Sequence, residues 1–148
     1  AGQPYDVIVD YAHTPDALQQ LLESVKQLTK RRVILVFGAC GDRDKTKRPI
    51  MGEIAARLAD RIVVTDEESY NEDPDEIRRM IIDGIANAKG EMRCEEIADR
   101  RQAIEKALSI ARKGDTVLVT GMGHEQFRII GGEKLPWNDG DVIRELLS

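Results

Sequence analysis

The sequence predicts an α/β fold, doubly wound about a mostly parallel sheet of about six strands with a small antiparallel addition. Three observations lead there. Apolar, β-branched runs at residues 5–9, 33–37, 61–65 and 116–120 lack the polar alternation of a half-exposed strand, as expected of strands covered on both faces. Between them lie segments whose apolar residues recur at helical spacing. The connections are short, which favours parallel strands joined by right-handed crossovers.

The first strand, residues 5–9, is bounded by Gly2 and Pro4 before it and by a turn after it. That turn ends in Thr14-Pro15-Asp16: the threonine hydroxyl can cap a helix, proline suits the first helical position, and the aspartate complements the dipole. The helix over 16–28 places Ala17, Leu18, Leu21, Leu22, Val25 and Leu28 on one face, and Lys30-Arg31-Arg32 suits its negative end. The second strand stops at Gly38-Ala39-Cys40-Gly41, and a charged loop, 42–48, leads into a helix with Ile50, Met51, Ile54, Ala55 and Leu58 inward. A third strand over 61–65 is followed by an acidic loop, and Pro74 starts a helix through Ile77, Met80, Ile81 and Ile85 that ends near Gly90. Position alone suggests a strand at 92–95. Asp99 caps the next helix, which carries Ala103, Ile104, Ala107, Leu108 and Ala111. After the strand at 116–120, residues 126–130 and 134–137 flank Gly131-Gly132 as a hairpin. Asp139 is the expected cap of a last helix with Val142, Ile143, Leu146 and Leu147 inward.

Composition excludes several classes of function. The 148 residues suit a single domain, 1–148, able to bury roughly 70% of its unfolded surface. No apolar run approaches the roughly 18 residues of a membrane helix, and no signal peptide is present, so no membrane partner is expected. A net charge of -5 argues against nucleic acid, whose binders gather Lys and Arg. Cys40 and Cys94 lie far apart without metal-ligand or redox spacing, so no metal site is expected and a reduced, cytoplasmic protein is the simplest reading. The opening Ala1-Gly2-Gln3-Pro4 reads as the start of an excised segment of a longer protein.

In such a fold the loops 10–14, 38–46, 65–73 and 120–125 share the carboxyl edge of the sheet, where ligands bind. Asp10 and His13 can hold a ribose and a purine, Arg43 can fork onto a carboxylate, and Glu125 can accept from an ammonium. Taken singly, each has a plainer reading. Asp10 satisfies local turn N–H groups as readily. His13 and the cluster from Arg43 to Arg48 suit a solvated surface, and Glu125 can pair with His124 or Arg128. The loop from Gly38 to Thr46 is not a phosphate cradle, because Asp44 stands where glycine should precede the lysine and Asp42 would repel a triphosphate.

Three motifs together carry a resemblance. Asp10-Tyr11-Ala12-His13-Thr14-Pro15-Asp16, Gly41-Asp42-Arg43-Asp44-Lys45-Thr46-Lys47-Arg48-Pro49 and Gly121-Met122-Gly123-His124-Glu125 resemble, in order, the C-terminal domain of the Mur ligases, ATP-dependent amide-forming enzymes of peptidoglycan precursor synthesis. The last two favour the branch that adds the third stem-peptide residue. The resemblance implies a Rossmann-like domain with one antiparallel edge strand, in which Asp10, Tyr11 and His13 face the nucleotide. It implies that Arg43 reads the incoming amino acid's carboxylate and that Gly121 and Glu125 take its ammonium. It further implies UDP-N-acetylmuramoyl-dipeptide and ATP as substrates, with ATP phosphates and Mg2+ held mainly by a central domain outside these residues. The isolated domain is then expected to be inactive. Cyanophycin synthetases and folylpolyglutamate synthetases share the opening motif and are the enzyme alternatives. A free-standing nucleotide- or amino-acid-binding module is the non-enzyme one.

Two departures from the family pattern bear on the substrate. Family members that choose meso-diaminopimelate carry Asp-Asn-Pro-Arg after the third strand, where this chain has Asp66-Glu67-Glu68-Ser69, and Met122 replaces the usual lysine. Seven carboxylates fall between residues 66 and 76, without a basic residue among them. If Asp66, Glu67 and Glu68 reach the pocket with Glu125, they attract a side-chain ammonium and leave only Arg43 for a second carboxylate, which favours a diamino acid without a distal carboxylate. The expectation is lysine or ornithine, with meso-diaminopimelate as runner-up.

Overall fold

The computed structural model describes residues 2–148. Five parallel strands form the sheet: β1 (Asp6–Asp10), β2 (Val33–Phe37), β3 (Arg61–Val64), β4 (Cys94–Glu96) and β5 (Thr116–Thr120), in the order β1-β5-β2-β3-β4. Helices α1 (Pro15–Leu28), α2 (Lys47–Leu58) and α3 (Pro74–Asn87) cover one face, and α4 (Arg100–Ile110) and α5 (Asp139–Leu147) the other. The strand pleat divides the core accordingly. Leu35, Phe37, Ile62 and Val64 pack towards α1 to α3, whereas Ile34, Val36, Val63, Val117 and Val119 pack towards α4 and α5. Coverage of both faces explains the uninterrupted apolar runs. No helix among the described residues is long and apolar enough to cross a membrane.

The antiparallel component stands apart from the sheet rather than extending its edge. Strands β6 (Phe127–Ile130) and β7 (Glu133–Pro136) pair with each other, and Gly131 and Gly132, at φ of 58° and 83°, make the turn. Both positions require positive φ, which glycine supplies without steric cost. The hairpin reaches the rest of the molecule through Tyr70, whose N–H donates to the Ile129 carbonyl at 3.1 Å.

Several local expectations are corrected by burial. Asn138, not Asp139, caps α5, accepting from the Asp141 N–H at 2.9 Å, because Asp139 turns inward to Arg100. In α2, Met51, Ile54 and Ala55 are buried as expected, but Ile50 is exposed and Arg48 is buried. Leu28 is likewise exposed at the end of α1. Arg32 does not close α1: its side chain donates to Asp115 and to the Ile110 carbonyl, both at 2.9 Å. The fourth strand begins two residues later than expected, after a short 3-10 turn at Glu91–Arg93.

Two helical glycines set the spacing of α2 and α3. A Cβ on Gly52 would lie 2.1 Å from the Ile81 carbonyl oxygen, and one on Gly84 would lie 2.0 Å from that of Pro49. Both obstacles are backbone and cannot swing aside. Gly84→Ala is therefore expected to destabilise the fold by about 1–3 kcal/mol, although alanine's helix propensity returns about 1 kcal/mol. Urea denaturation reads this directly, and a variant at least as stable as the parent would show that the helices separate without penalty.

Candidate functional site

Because β1, β2, β3 and β5 are parallel, the loops that follow them open at one edge of the sheet. Their positions are fixed from behind by three buried arginines. Arg100, 0% exposed, donates to both carboxylate oxygens of Asp139 at 2.8 and 2.7 Å, to the Thr120 carbonyl at 3.0 Å and to the Asp66 carbonyl at 3.2 Å. It thereby ties the ends of β3 and β5 to α5. Arg48 forks onto Glu72 at 2.6 and 2.9 Å and donates to the Cys40 carbonyl at 2.9 Å, joining the loop after β2 to the loop after β3. Hydrogen bonding from Arg48 holds the Glu72 carboxyl down to about 2. Arg78 pairs with Asp66, Asp75 and Glu96, which fastens the start of α3 to the end of β3.

Glycine permits the close approach of these loops. A Cβ on Gly38 would meet the Thr65 carbonyl oxygen at 2.3 Å, and one on Gly41 that of Ser69 at 1.8 Å. The Gly41 N–H donates to the Glu68 carbonyl at 2.7 Å. Gly121 has φ +107°, and a Cβ there would lie 2.1 Å from Glu67 Oε2.

Tyr11, His13, Arg43, Glu67, Gly121 and Glu125, all named from the sequence, line one cavity of about 330 Å³. Glu68, one of the acidic residues expected to reach the pocket, is also in its wall, together with residues that the motifs did not reveal: Tyr70 after β3, and Phe127 and Lys134 from the hairpin. A neighbouring cavity of about 200 Å³ shares His13, Cys40, Arg43 and Glu67, so the two form a continuous cleft running to the start of α2. Tyr11 is half exposed, and its ring meets His13 edge-on at 4.7 Å. The His13 Nδ1 lies 3.0 Å from the Tyr11 carbonyl. Arg43 lies over Tyr70, its guanidinium carbon 5.4 Å from the ring centre.

Three expected site residues stand differently. Asp10 lies behind the cleft rather than on its wall, and one carboxylate oxygen accepts from the Ala12 N–H at 2.9 Å. Asp66 is turned away and neutralised by Arg78. Glu67 is 3% exposed; it accepts from the Cys40 thiol at 3.0 Å through Oε1, and its Oε2 has no partner. Burial pushes the Glu67 carboxyl above its ordinary value, an effect that Arg100 offsets only in part. Of the three carboxylates expected to draw a side-chain ammonium, only Glu68 presents free charge to the cleft, because Asp66 is paired with Arg78 and Glu67 is buried. This weakens the charge argument for lysine or ornithine. Met122 is 1% exposed, so it packs as an apolar residue where a lysine would need a route to water.

The cleft thus presents a guanidinium and carboxylates side by side, bordered by the turn that carries Tyr11 and His13. Arg43 offers a planar fork for a carboxylate, while Glu68 and Glu125 offer acceptors for ammonium groups. No group of three or more His, Cys, Asp or Glu side chains among the described residues converges to hold a metal ion.

Comparison with known proteins agrees with this geometry. Residues 1–123 match the family model described as Mur ligase, glutamate ligase domain. A UDP-N-acetylmuramoyl-L-alanyl-D-glutamate--2,6-diaminopimelate ligase from Chelativorans sp. (strain BNC1) is 50% identical over 142 residues, covering 96% of this chain and 28% of that protein. A solved ligase of the same name superposes with a TM-score of 0.91 at 35% identity, covering 99% of this chain and 30% of its own. E. coli FolC, solved with ADP, superposes with a TM-score of 0.60 at 26% identity over 78% of this chain and 25% of its own. This chain therefore spans under a third of the length of the relatives it matches. With the three motifs, the parallel sheet and a model match over most of its residues, the chain belongs to the Mur ligase family.

Proposed function

We propose that residues 1–148 form the amino-acid-binding C-terminal domain of a cytoplasmic, ATP-dependent ligase. The reaction is addition of the third residue to UDP-N-acetylmuramoyl-dipeptide in peptidoglycan synthesis. The observation that carries the proposal is the single cleft that holds Arg43 with Glu68 and Glu125 beside Tyr11 and His13. In the ligase, an acyl phosphate formed on the dipeptide is attacked by the amine of the incoming amino acid. The residues present here bind and orient that amine: Arg43 holds a carboxylate, and Glu125 with the Gly121 backbone holds the ammonium. Asp10, Tyr11 and His13 take the adenosine end of the nucleotide. They fit the ribose-and-base half of such a site, and the loop between Gly38 and Thr46 offers no cradle for phosphates. ATP phosphates and Mg2+ accordingly fall to another domain of the parent enzyme.

The incoming amino acid is 2,6-diaminopimelate rather than lysine or ornithine. Asp66 is occupied by Arg78 and Glu67 is buried, so of the acidic residues 66–68 only Glu68 faces the cleft and the excess that disfavoured a second carboxylate is much reduced. Relatives at up to 50% identity carry diaminopimelate in their names. The test is an assay of the full-length ligase with UDP-N-acetylmuramoyl-dipeptide, ATP, Mg2+ and each amino acid in turn, read by product mass. Preferential incorporation of diaminopimelate is expected. Preference for lysine would overturn the substrate assignment, and no product with any amino acid would overturn the ligase reading.

A further inference from the structure

Two cations stand in the cleft without an acid of their own. Arg43 rests on Tyr70, and Lys134 rests on Phe127 with Nζ 4.5 Å from the ring centre. Neither forms an ion pair among the described residues, whereas Arg32, Arg48, Arg78 and Arg100 are all paired with carboxylates. An aromatic face holds a cation far less firmly than a carboxylate does, so both groups are available to an incoming anion. The placement of Lys134 follows from the hairpin. Lys134 is the cross-strand partner of Ile129, so the two share a face, and Phe127 lies two residues along on that same face. All three line the cavity with Arg43, Glu68 and Glu125. The hairpin itself is held over the cleft by Tyr70, which has φ 53° and donates its N–H to Ile129.

Within the cavity of about 330 Å³ the lining gives two free cations and, with Glu67 buried, two accessible carboxylates, a pattern that matches a diamino diacid end for end. A diamino monoacid would leave one cation unmatched. We propose that Lys134 is the specificity residue that reads the distal carboxylate of the incoming amino acid, leaving its seat on Phe127 to do so, while Arg43 holds the carboxylate at the other end. This rests on the cleft being the amino-acid site. It also supplies the second basic group that the loop after β3 lacks in this chain.

The test is titration of the 148-residue chain and of Lys134→Gln and Lys134→Arg with 2,6-diaminopimelate, lysine and ADP, followed by chemical shifts. Lys134 is exposed, so neither substitution threatens the fold. Diaminopimelate affinity should fall about fivefold in Lys134→Gln and recover in Lys134→Arg, while lysine and ADP change by less than about twofold. Equal losses for diaminopimelate and lysine, or a loss confined to ADP, would overturn the assignment of Lys134 and leave the cleft as the amino-acid site. Failure of the parent chain to bind either amino acid up to its solubility would overturn both.

Discussion

Asp139→Ala should cost the fold about 3–5 kcal/mol, the largest loss expected from any single side chain outside the apolar core. Arg100 and Asp139 are both 0% exposed, and the carboxylate takes two of the guanidinium's hydrogen bonds as well as one from Trp137 Nε1 at 2.7 Å. Truncation leaves a buried charge without a counter-ion, which is far worse than losing the pair as a whole. The chain's one tryptophan sits beside the pair, so urea unfolding followed by its fluorescence measures the change. Asp139→Asn, which keeps the shape but not the charge, should fall between parent and alanine variant. A loss below about 1 kcal/mol would mean that Arg100 is compensated by other means. Arg100 also holds the carbonyls of Asp66 and Thr120, next to Glu67 and Gly121, so weakened ligand binding should accompany the lost stability.

Arg43→Ala, made in the full-length ligase, should raise KM for the amino acid by roughly 10- to 100-fold while changing kcat much less. A hydrogen bond between charged partners contributes about 1.5–3 kcal/mol, and a residue that holds only the substrate's carboxylate, as proposed for Arg43, binds ground state and transition state alike. Its side chain has only a long 3.4 Å contact to the Asp42 carbonyl and the Tyr70 ring, so its removal leaves no buried group unsatisfied. Lysine at this position should recover the charge but not the planar fork, giving partial rescue. A fall in kcat at unchanged KM would instead place Arg43 in the chemical step.

The fold was legible in the sequence because its strands are covered on both faces and its helices begin with strong caps. Thr14, Asp73 and Asp99 each accept from a backbone N–H in the first turn of their helix. The motif residues were legible as a set because parallel strands bring their loops to one edge. The arginines that hold those loops were not, because a charged side chain is seldom fully buried unless it is paired, and the partners of Arg48 and Arg100 lie far away in the sequence. Yet Arg100 precedes Ala103, Ile104 and Ala107 at helical spacing, and Arg48 stands likewise before Met51 and Ala55. Their positions pointed inward even though their chemistry did not. Asp66 and Glu67 are the opposite case: adjacent carboxylates suggest one function, but in the loop after β3 they take different partners, one pairing with Arg78 and one lying beneath Gly121. Lys134 was out of reach because the hairpin's fold over the cleft depends on one tertiary hydrogen bond at Tyr70.

The most direct test is chemical-shift mapping of the 148-residue chain with ADP and with 2,6-diaminopimelate, alone and together. ADP should bind weakly and perturb residues 10–14, with no phosphate release in the presence of Mg2+. Diaminopimelate should perturb Arg43, Glu68, Gly121, Glu125 and Lys134, and the two ligands should bind without competing. Perturbation by ADP confined to residues 43–48, or displacement of one ligand by the other, would contradict the division of the cleft into an amino-acid half and an adenosine half.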